Sequence, residues 1–185
     1  APPDEDGFLS LSIAAGATVE EIHRCGGDPD RLLVVETSPL LPRTLGLPPD
    51  HSHRVHLDEV DIMIETERVP MELPDLEPSE VERAIASFVG DFIPDGATLQ
   101  TGIGGIPGAV AGLLADGPGG DYGVHSEMFT TGLMRLHKAG KVTNAHKGSH
   151  EGYSVATFAM GTSELYQWLD GQEEVRFLPV EYINT

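Results

Sequence analysis

The chain has 185 residues, enough for one ordinary domain or two small ones, and its 30 acidic against 11 basic side chains give a formal net charge of −19. This charge argues against binding to nucleic acid or to an anionic membrane surface, because both require a basic surface. The single cysteine, Cys25, excludes an internal disulfide and a multi-cysteine zinc site, and no apolar run is long enough to span a membrane. We therefore expect a cytoplasmic protein.

The first part of the chain alternates short apolar runs with turn signals, a pattern typical of an α/β fold. FLSLSIA at 8–14 predicts a strand, GATVEEIHRCGG at 16–27 a short helix, LLVVET at 32–37 a buried strand, and VHLDEVDIMIET at 55–66 a further strand. The Pro-rich, acidic stretch at 67–78 can form neither a helix nor a central strand, because proline lacks an N–H donor. We interpret 71–78 as a linker between two domains, 1–70 and 79–185.

The second part of the chain begins with a strong helix signal. Ser79 and Glu82 form a capping box, and apolar residues between Val81 and Phe92 share one face of the helix that follows. The later pattern predicts strands at 97–102, 122–127, 141–144, 153–160 and 175–183, and helices at 107–116, 131–140 and 163–170. This alternation indicates a mostly parallel sheet.

The glycine turn TGIGG at 101–105 lies between a predicted strand and a predicted helix, with Pro107 near the first helical position. Glycines allow a positive φ and a close approach to a ligand, and a helix start offers unpaired N–H donors that suit a phosphate, a carboxylate or an oxyanion. The turn lacks the third glycine of a dinucleotide-binding motif and the lysine of a P-loop. A tight turn without any ligand is the alternative interpretation.

Glu127 ends the next predicted strand, YGVHSE, so it would face the same crevice as the glycine turn if the two strands are neighbours. A carboxylate beside preorganised N–H donors suits nucleophilic attack on an acyl carbon, with the apolar Met128 and Phe129 excluding water. A solvated or capping acid is the alternative. The adjacent His125 and Ser126 cannot act as a pair, because neighbouring residues on a strand point to opposite faces.

A metal site is a weaker alternative elsewhere in the chain. The run HSHRVHLD contains His51, His53, His56 and Asp58, which resembles the histidine run of metal-dependent thioester hydrolases but lacks its first aspartate. Histidines in an acidic loop are more often solvated, so we expect no metal there.

Four motifs together resemble the acetyl-CoA hydrolase/transferase family, which includes 4-hydroxybutyrate and butyryl-CoA:acetate CoA-transferases. They are TLQTGIGGIPGAV at 98–110, GVHSEMFTTGLMRLHKAGKVTN at 123–144, YSVATFAMGTSELYQWLD at 153–170 and FLPVEYIN at 177–184. The resemblance implies open, mostly parallel sheets with flanking helices, in two incomplete domains. Because no Met begins the chain and it ends on a strand-like stretch, we expect a segment of a longer protein.

The resemblance also implies the chemistry. It identifies Glu127 as the nucleophile of a CoA-transferase, Asn184 as an active-site asparagine, and Gly102, Ile103, Gly104, Gly105 and Ile106 as part of the CoA-binding site. CoA would move between an acetyl-, butyryl- or 4-hydroxybutyryl-CoA and a short carboxylic acid through a glutamyl-CoA thioester, with acyl-CoA as substrate and no permanently bound cofactor. We expect a homodimer or higher homo-oligomer for the full-length protein and little activity for this chain alone. Acyl-CoA hydrolysis and a non-catalytic ligand-binding module are the alternatives.

Overall fold

The computed structural model describes residues 1–184 of the chain. The first part holds two small sheets: an antiparallel pair formed by β1 (Phe8–Ser10) and β3 (Arg54–His56), and a parallel pair formed by β2 (Val34–Thr37) and β4 (Ile62–Glu65). Helix α1 (Val19–Gly26) precedes β2, and a turn of 3₁₀ helix (Leu57–Glu59) precedes β4. The prediction that 32–37 is a buried strand is wrong on burial: only Thr37 of β2 is buried, and every residue of β4 is exposed.

The second part is a four-stranded parallel sheet in the order β5-β6-β7-β8, and this confirms the predicted α/β fold. Its strands are β5 (Thr98–Leu99), β6 (Gly123–Thr130), β7 (Ser154–Met160) and β8 (Val175–Phe177). The helices are α2 (Glu80–Gly90), α3 (Gly105–Asp116), α4 (Thr131–Lys138), α5 (Ser163–Leu169) and α6 (Val180–Ile183). Among residues 1–184, none of these helices combines the length and the apolar character that a bilayer crossing requires.

The main core lies between this sheet and its helices. Phe129 on β6 is buried and stacks on Trp168 of α5 with 5.9 Å between ring centroids, and Leu133 and Leu136 of α4 are fully buried. Helix α2 begins with the predicted capping box, in which the Ser79 N–H donates to the Glu82 carboxylate at 2.7 Å. The apolar face predicted for α2 is largely exposed, however.

Two predicted strands are wrong. The segment 141–144 forms only a single bridge, from Val142 to Tyr122, because Asn144 adopts a positive φ of 56° and its side chain accepts a hydrogen bond from the Val124 N–H. The strand predicted at 175–183 stops at Phe177, since Pro179 has no N–H to donate and instead precedes the short helix α6.

The stretch at 67–78 has no helix or strand, as its prolines predict. It lies against the second part of the chain, where the Leu73 N–H donates to the Gly161 carbonyl at 2.8 Å and the Tyr166 hydroxyl donates to the Met71 carbonyl at 2.7 Å. The two parts also join directly, because the Ala15 N–H donates to the carbonyl of Thr157 in β7 at 2.7 Å. The division into two domains at 71–78 stays a prediction.

Candidate active site

A cavity of about 230 Å³ lies at the carboxyl edge of the parallel sheet. Its walls are the turns that follow β5, β6 and β7, and the segment 73–76 closes one side. Asp75 in that segment forms an ion pair with Arg135 of α4. This cover could not be predicted from the sequence, because a Pro-rich acidic stretch is equally typical of a solvated spacer. In open α/β sheets, ligands bind in the crevice at this edge.

The glycine turn forms one wall of this cavity. Gly104 has a φ of 125°, a conformation that residues with a side chain rarely adopt, and α3 begins at the next residue. The first N–H groups of the helix, at Gly105 and Ile106, have no acceptor within the helix and so can bind an anionic or carbonyl oxygen. Pro107, expected near the first helical position, is the third helical residue, two positions further on. The N–H of the third helical residue has no acceptor within the helix, so the proline, which lacks an N–H, costs no hydrogen bond there.

The five predicted CoA-binding residues do not all face the same space. Gly102, Ile103, Gly104 and Gly105 line the cavity, whereas Ile106 lines a second one of about 250 Å³ on the other side of the turn, next to Val89 and Leu136.

Glu127 lies within β6, and its side chain is exposed. The strand continues three residues beyond the predicted end, so Glu127 is an interior strand residue. β5 and β6 are parallel neighbours, as the shared crevice requires, and the Thr101 N–H donates to the Ser126 hydroxyl at 3.3 Å. The first residue of the glycine turn is therefore hydrogen-bonded to the residue before Glu127. Glu127 itself is not among the residues that line the cavity.

The neighbours of Glu127 are fixed in different ways. Ser126 is fully buried, and its hydroxyl donates to the Met128 carbonyl at 2.8 Å, so it is held inside the fold. Phe129 belongs to the core, where it stacks on Trp168, and the expectation that it shields the carboxylate from water is wrong. Met128 is half-buried.

Asn184 is exposed and follows α6 directly. The imidazole of His125, two residues before Glu127, donates from Nε2 to the carbonyl of Ile183 at 3.1 Å. The strand that carries Glu127 is thereby bound to the residue before Asn184. Thus β6 links the three predicted parts of the site: the glycine turn through Ser126, the carboxylate directly, and Asn184 through His125.

The histidines of HSHRVHLD have separate partners. His51 contacts the ring of Tyr182, with 4.4 Å between centroids, and His56 packs on Phe8. His53 is buried, contrary to the expectation of a solvated loop histidine, and burial lowers its pKa to about 4. Within residues 1–184, no group of three or more His, Cys, Asp or Glu side chains is placed to hold a metal ion.

Known proteins with similar sequences are CoA-transferases. The chain is 35% identical over 185 residues to a succinyl-CoA:cyclohexane-1-carboxylate CoA transferase of Geobacter metallireducens, and 35% identical over 183 residues to a 4-hydroxybutyrate coenzyme A transferase of Clostridium kluyveri. Each match covers 99% of this chain but only 39% and 40% of the relative. A butyryl-CoA:acetate CoA-transferase of Anaerostipes caccae is 34% identical over 188 residues, 40% of its length. No protein-family model matches.

Solved structures give the same result for the fold. RipA from Yersinia pestis superposes with a TM-score of 0.89 at 32% identity, over 99% of this chain and 40% of RipA. A 4-hydroxybutyrate CoA-transferase from Porphyromonas gingivalis superposes with a TM-score of 0.86 at 30% identity, over 100% of this chain and 44% of that protein. In sequence and in fold, the chain belongs to the CoA-transferase family of the 4-hydroxybutyrate and butyryl-CoA:acetate type, and it spans about 40% of the length of the relatives it matches.

Proposed function

We propose that this chain carries the nucleophile of a CoA-transferase, and that Glu127 is that nucleophile. The observation that supports the proposal best is the match of almost the whole chain to CoA-transferases, together with an exposed carboxylate on the strand beside the glycine turn. The proposed substrates are an acetyl-, butyryl- or 4-hydroxybutyryl-CoA and a short carboxylic acid. The whole protein is proposed to work as a homodimer or higher homo-oligomer.

The proposed reaction has two halves, each with two acyl-transfer steps. The Glu127 carboxylate attacks the thioester carbonyl of the acyl-CoA, the C–S bond breaks, and a mixed anhydride and CoA thiolate form. The thiolate then attacks the Glu127 carbonyl of the anhydride, which releases the first carboxylic acid as its anion and leaves a glutamyl-CoA thioester. The acceptor carboxylate repeats these steps in reverse order, so acyl-CoA forms and Glu127 is regenerated without net use of a proton.

The cavity and its glycine wall would bind the part of CoA next to the thioester. Ile103 and Leu73 give the walls apolar surface, and the first N–H groups of α3 can stabilise an oxyanion in the transition state. Such local donors are needed because the net charge of −19 repels the phosphates of CoA. A carboxylate is a weak nucleophile, so binding of the remote CoA body has to supply much of the transition-state stabilisation.

Acyl-CoA hydrolysis is the second candidate, and the exposure of Glu127 favours it for this chain in isolation. Water that reaches the mixed anhydride would hydrolyse it before the thiolate returns. The two functions differ in one measurement. A transferase releases CoA faster when acetate or butyrate is added and builds that acid into a new acyl-CoA, whereas a hydrolase releases CoA at a rate independent of the acid.

The proposal is tested in the natural protein that carries this chain, with Glu127→Gln and the matched control Glu173→Gln, which alters an exposed carboxylate beside β8. We expect Glu127→Gln to lower acyl transfer by at least about a thousand-fold, since the amide cannot act as the nucleophile, while the control keeps the wild-type rate. Incubation with acyl-CoA, borohydride reduction and peptide mapping should modify Glu127 alone. Full activity of Glu127→Gln would favour a non-catalytic role for this part of the molecule and overturn the proposal.

A further inference from the structure

Helix α6 is the shortest α-helix in the described part of the chain, with four residues, and Asn184 follows it directly. A helix of this length has little stability of its own, because it makes too few internal hydrogen bonds to offset the cost of nucleation. The position of Asn184 therefore depends on what holds α6 in place.

Three histidines from three separate segments contact α6. His125 of β6 donates from Nε2 to the Ile183 carbonyl at 3.1 Å. His51, in the loop between Leu47 and β3, contacts the ring of Tyr182 with 4.4 Å between centroids. The Nε2 of His150, in the loop before β7, is hydrogen-bonded to the Tyr182 hydroxyl at 3.2 Å, and the His150 ring meets the Tyr182 ring edge-on.

The electrostatics of the group agree with these roles. The pKa of His150 is lowered, first by burial and then by the nearby Lys147, His125 and His51. A neutral imidazole has one ring nitrogen that can accept a hydrogen bond, and a phenolic hydroxyl can donate to it. Burial also lowers the pKa of Lys147, the charged neighbour of His150, to about 8.

His125 has a particular place in this group, because it lies on the same strand as Glu127 and two residues away. Residues i and i+2 of a strand stand about 6.6 Å apart on one side of the sheet. The hydrogen bond from His125 therefore sets α6, and with it Asn184, against the part of β6 that carries the carboxylate.

We propose that His125 is a positioning residue that holds Asn184 beside Glu127 through its hydrogen bond to the Ile183 carbonyl, and that His51 and His150 support it by holding Tyr182. This rests on the proposed function, because it assigns the histidines a part in the reaction of Glu127. The histidines touch neither CoA nor the acid; they act through α6. None of the chemistry requires them to exchange a proton with the substrate.

The test uses the natural protein with His125→Ala, His125→Gln, Asn184→Ala and the double variant His125→Ala/Asn184→Ala. We expect His125→Ala to lower kcat about ten- to a hundred-fold with little change in KM for acyl-CoA, because misplacement of a group near the reacting atoms acts on the chemical step. Glutamine keeps an N–H donor and should restore most of kcat. The control His146→Ala alters an exposed histidine whose ring lies beside Gly96, and should leave kcat unchanged.

The double variant decides whether His125 acts through Asn184. If it does, the loss from His125→Ala should nearly vanish in the Asn184→Ala background. Equal losses in both backgrounds would overturn the proposal, and so would an unchanged kcat for Asn184→Ala alone. If thermal unfolding shows that His125→Ala does not fold, the same cycle is carried out with His125→Gln and His125→Asn. A positioning role predicts that these two variants differ in kcat when Asn184 is present and have the same kcat in the Asn184→Ala background.

Failure of the proposed function has a different signature. In that case Glu127→Gln would keep the activity of the wild type. If only the positioning role is wrong, Glu127→Gln would still abolish activity, and the fold-losses in kcat of His125→Ala and Asn184→Ala would multiply in the double variant.

Discussion

Acid should destabilise this fold through His53, a side chain that joins the two parts of the chain. Its ring is 3% exposed and stacks on Phe177 of β8 with 5.5 Å between centroids. Nε2 donates to the Ser12 carbonyl at 2.8 Å, and the buried Nδ1 has no hydrogen-bond partner. Protonation would give Nδ1 an N–H that has no acceptor, and would put a positive charge in the core.

The magnitude follows from the pKa. Burial lowers the pKa of His53 from 6.5 to about 4. Between those two values the unfolded chain binds more protons than the folded chain, so the free energy of unfolding falls as the pH falls through this window and is fully recovered above about pH 6.5. At about 1.4 kcal/mol for each unit of pKa difference, the loss reaches about 3 kcal/mol at the acid end.

The assay is urea unfolding at about pH 7.5 and at about pH 4.5, for the wild type and for His53→Gln. Glutamine retains one N–H donor but cannot gain a charge, so the difference in unfolding free energy between the two pH values should be about 2 to 3 kcal/mol smaller in the variant. His146→Gln should keep the wild-type difference, because that exposed ring is hydrated in both states. Identical pH dependence of the wild type and His53→Gln would refute the reasoning.

Three further substitutions test local features of the fold by the free energy of unfolding in urea. Ser79→Ala should cost about 1 kcal/mol, since it removes the hydroxyl that caps α2; no loss would show that the cap does not hold the helix. Gly104→Ala should cost about 1 to 3 kcal/mol, because its φ of 125° strains any residue with a Cβ; a more stable variant would contradict that turn geometry. Phe129→Ala should cost about 3 to 5 kcal/mol by leaving a cavity beside Trp168, whereas Phe92→Ala, at a side chain that is 85% exposed, should change stability by less than about 0.5 kcal/mol; similar losses for the two phenylalanines would mean that Phe129 is not part of the core.

The sequence patterns that predicted the fold correctly were local ones. Alternation of apolar runs and turns was enough for the parallel order of the second part, and Ser79 with Glu82 fixed the start of α2, because the capping box depends only on residues three apart. The pattern predicted the wrong element where the backbone preference of one residue outweighed that of its neighbours. Asn144 ended a strand by its positive φ, and Pro179 turned a strand-like run into a helix.

Burial was the harder property to predict, since it depends on which other segments pack against an element. Val34 and Ile62 have the composition of buried strand residues, yet about half of each side chain is exposed. His53 is the converse case: it lies in a run of polar residues but is buried, where it bonds to the Ser12 carbonyl and stacks on Phe177 of β8. Both outcomes follow from contacts that join distant parts of the chain.

In the candidate site, too, local features could be predicted from the sequence and long-range contacts could not. Residue types and spacing pointed to Glu127 and to the glycine turn, and the structure confirms that their strands are neighbours. Sequence alone could not show that Asp75 and its segment cover the cavity, or that His125 binds the residue before Asn184, because those contacts span about sixty residues each. Histidine immediately before Ser-Glu was the one available signal, and its partner was not visible in the sequence.

The choice between transfer and hydrolysis depends on what covers Glu127. Met128 is only half-buried and Phe129 packs into the core, so the strand itself provides little shielding from water. The relatives are longer than the part that matches this chain, and in the natural protein any cover for Glu127 has to come from other chain segments or from the bound CoA. We therefore expect the ratio of acyl transfer to hydrolysis to be higher in the natural protein than in residues 1–185 alone, measured as new acyl-CoA formed per CoA released. A ratio that is the same in both would mean that the exposed strand suffices to protect the anhydride.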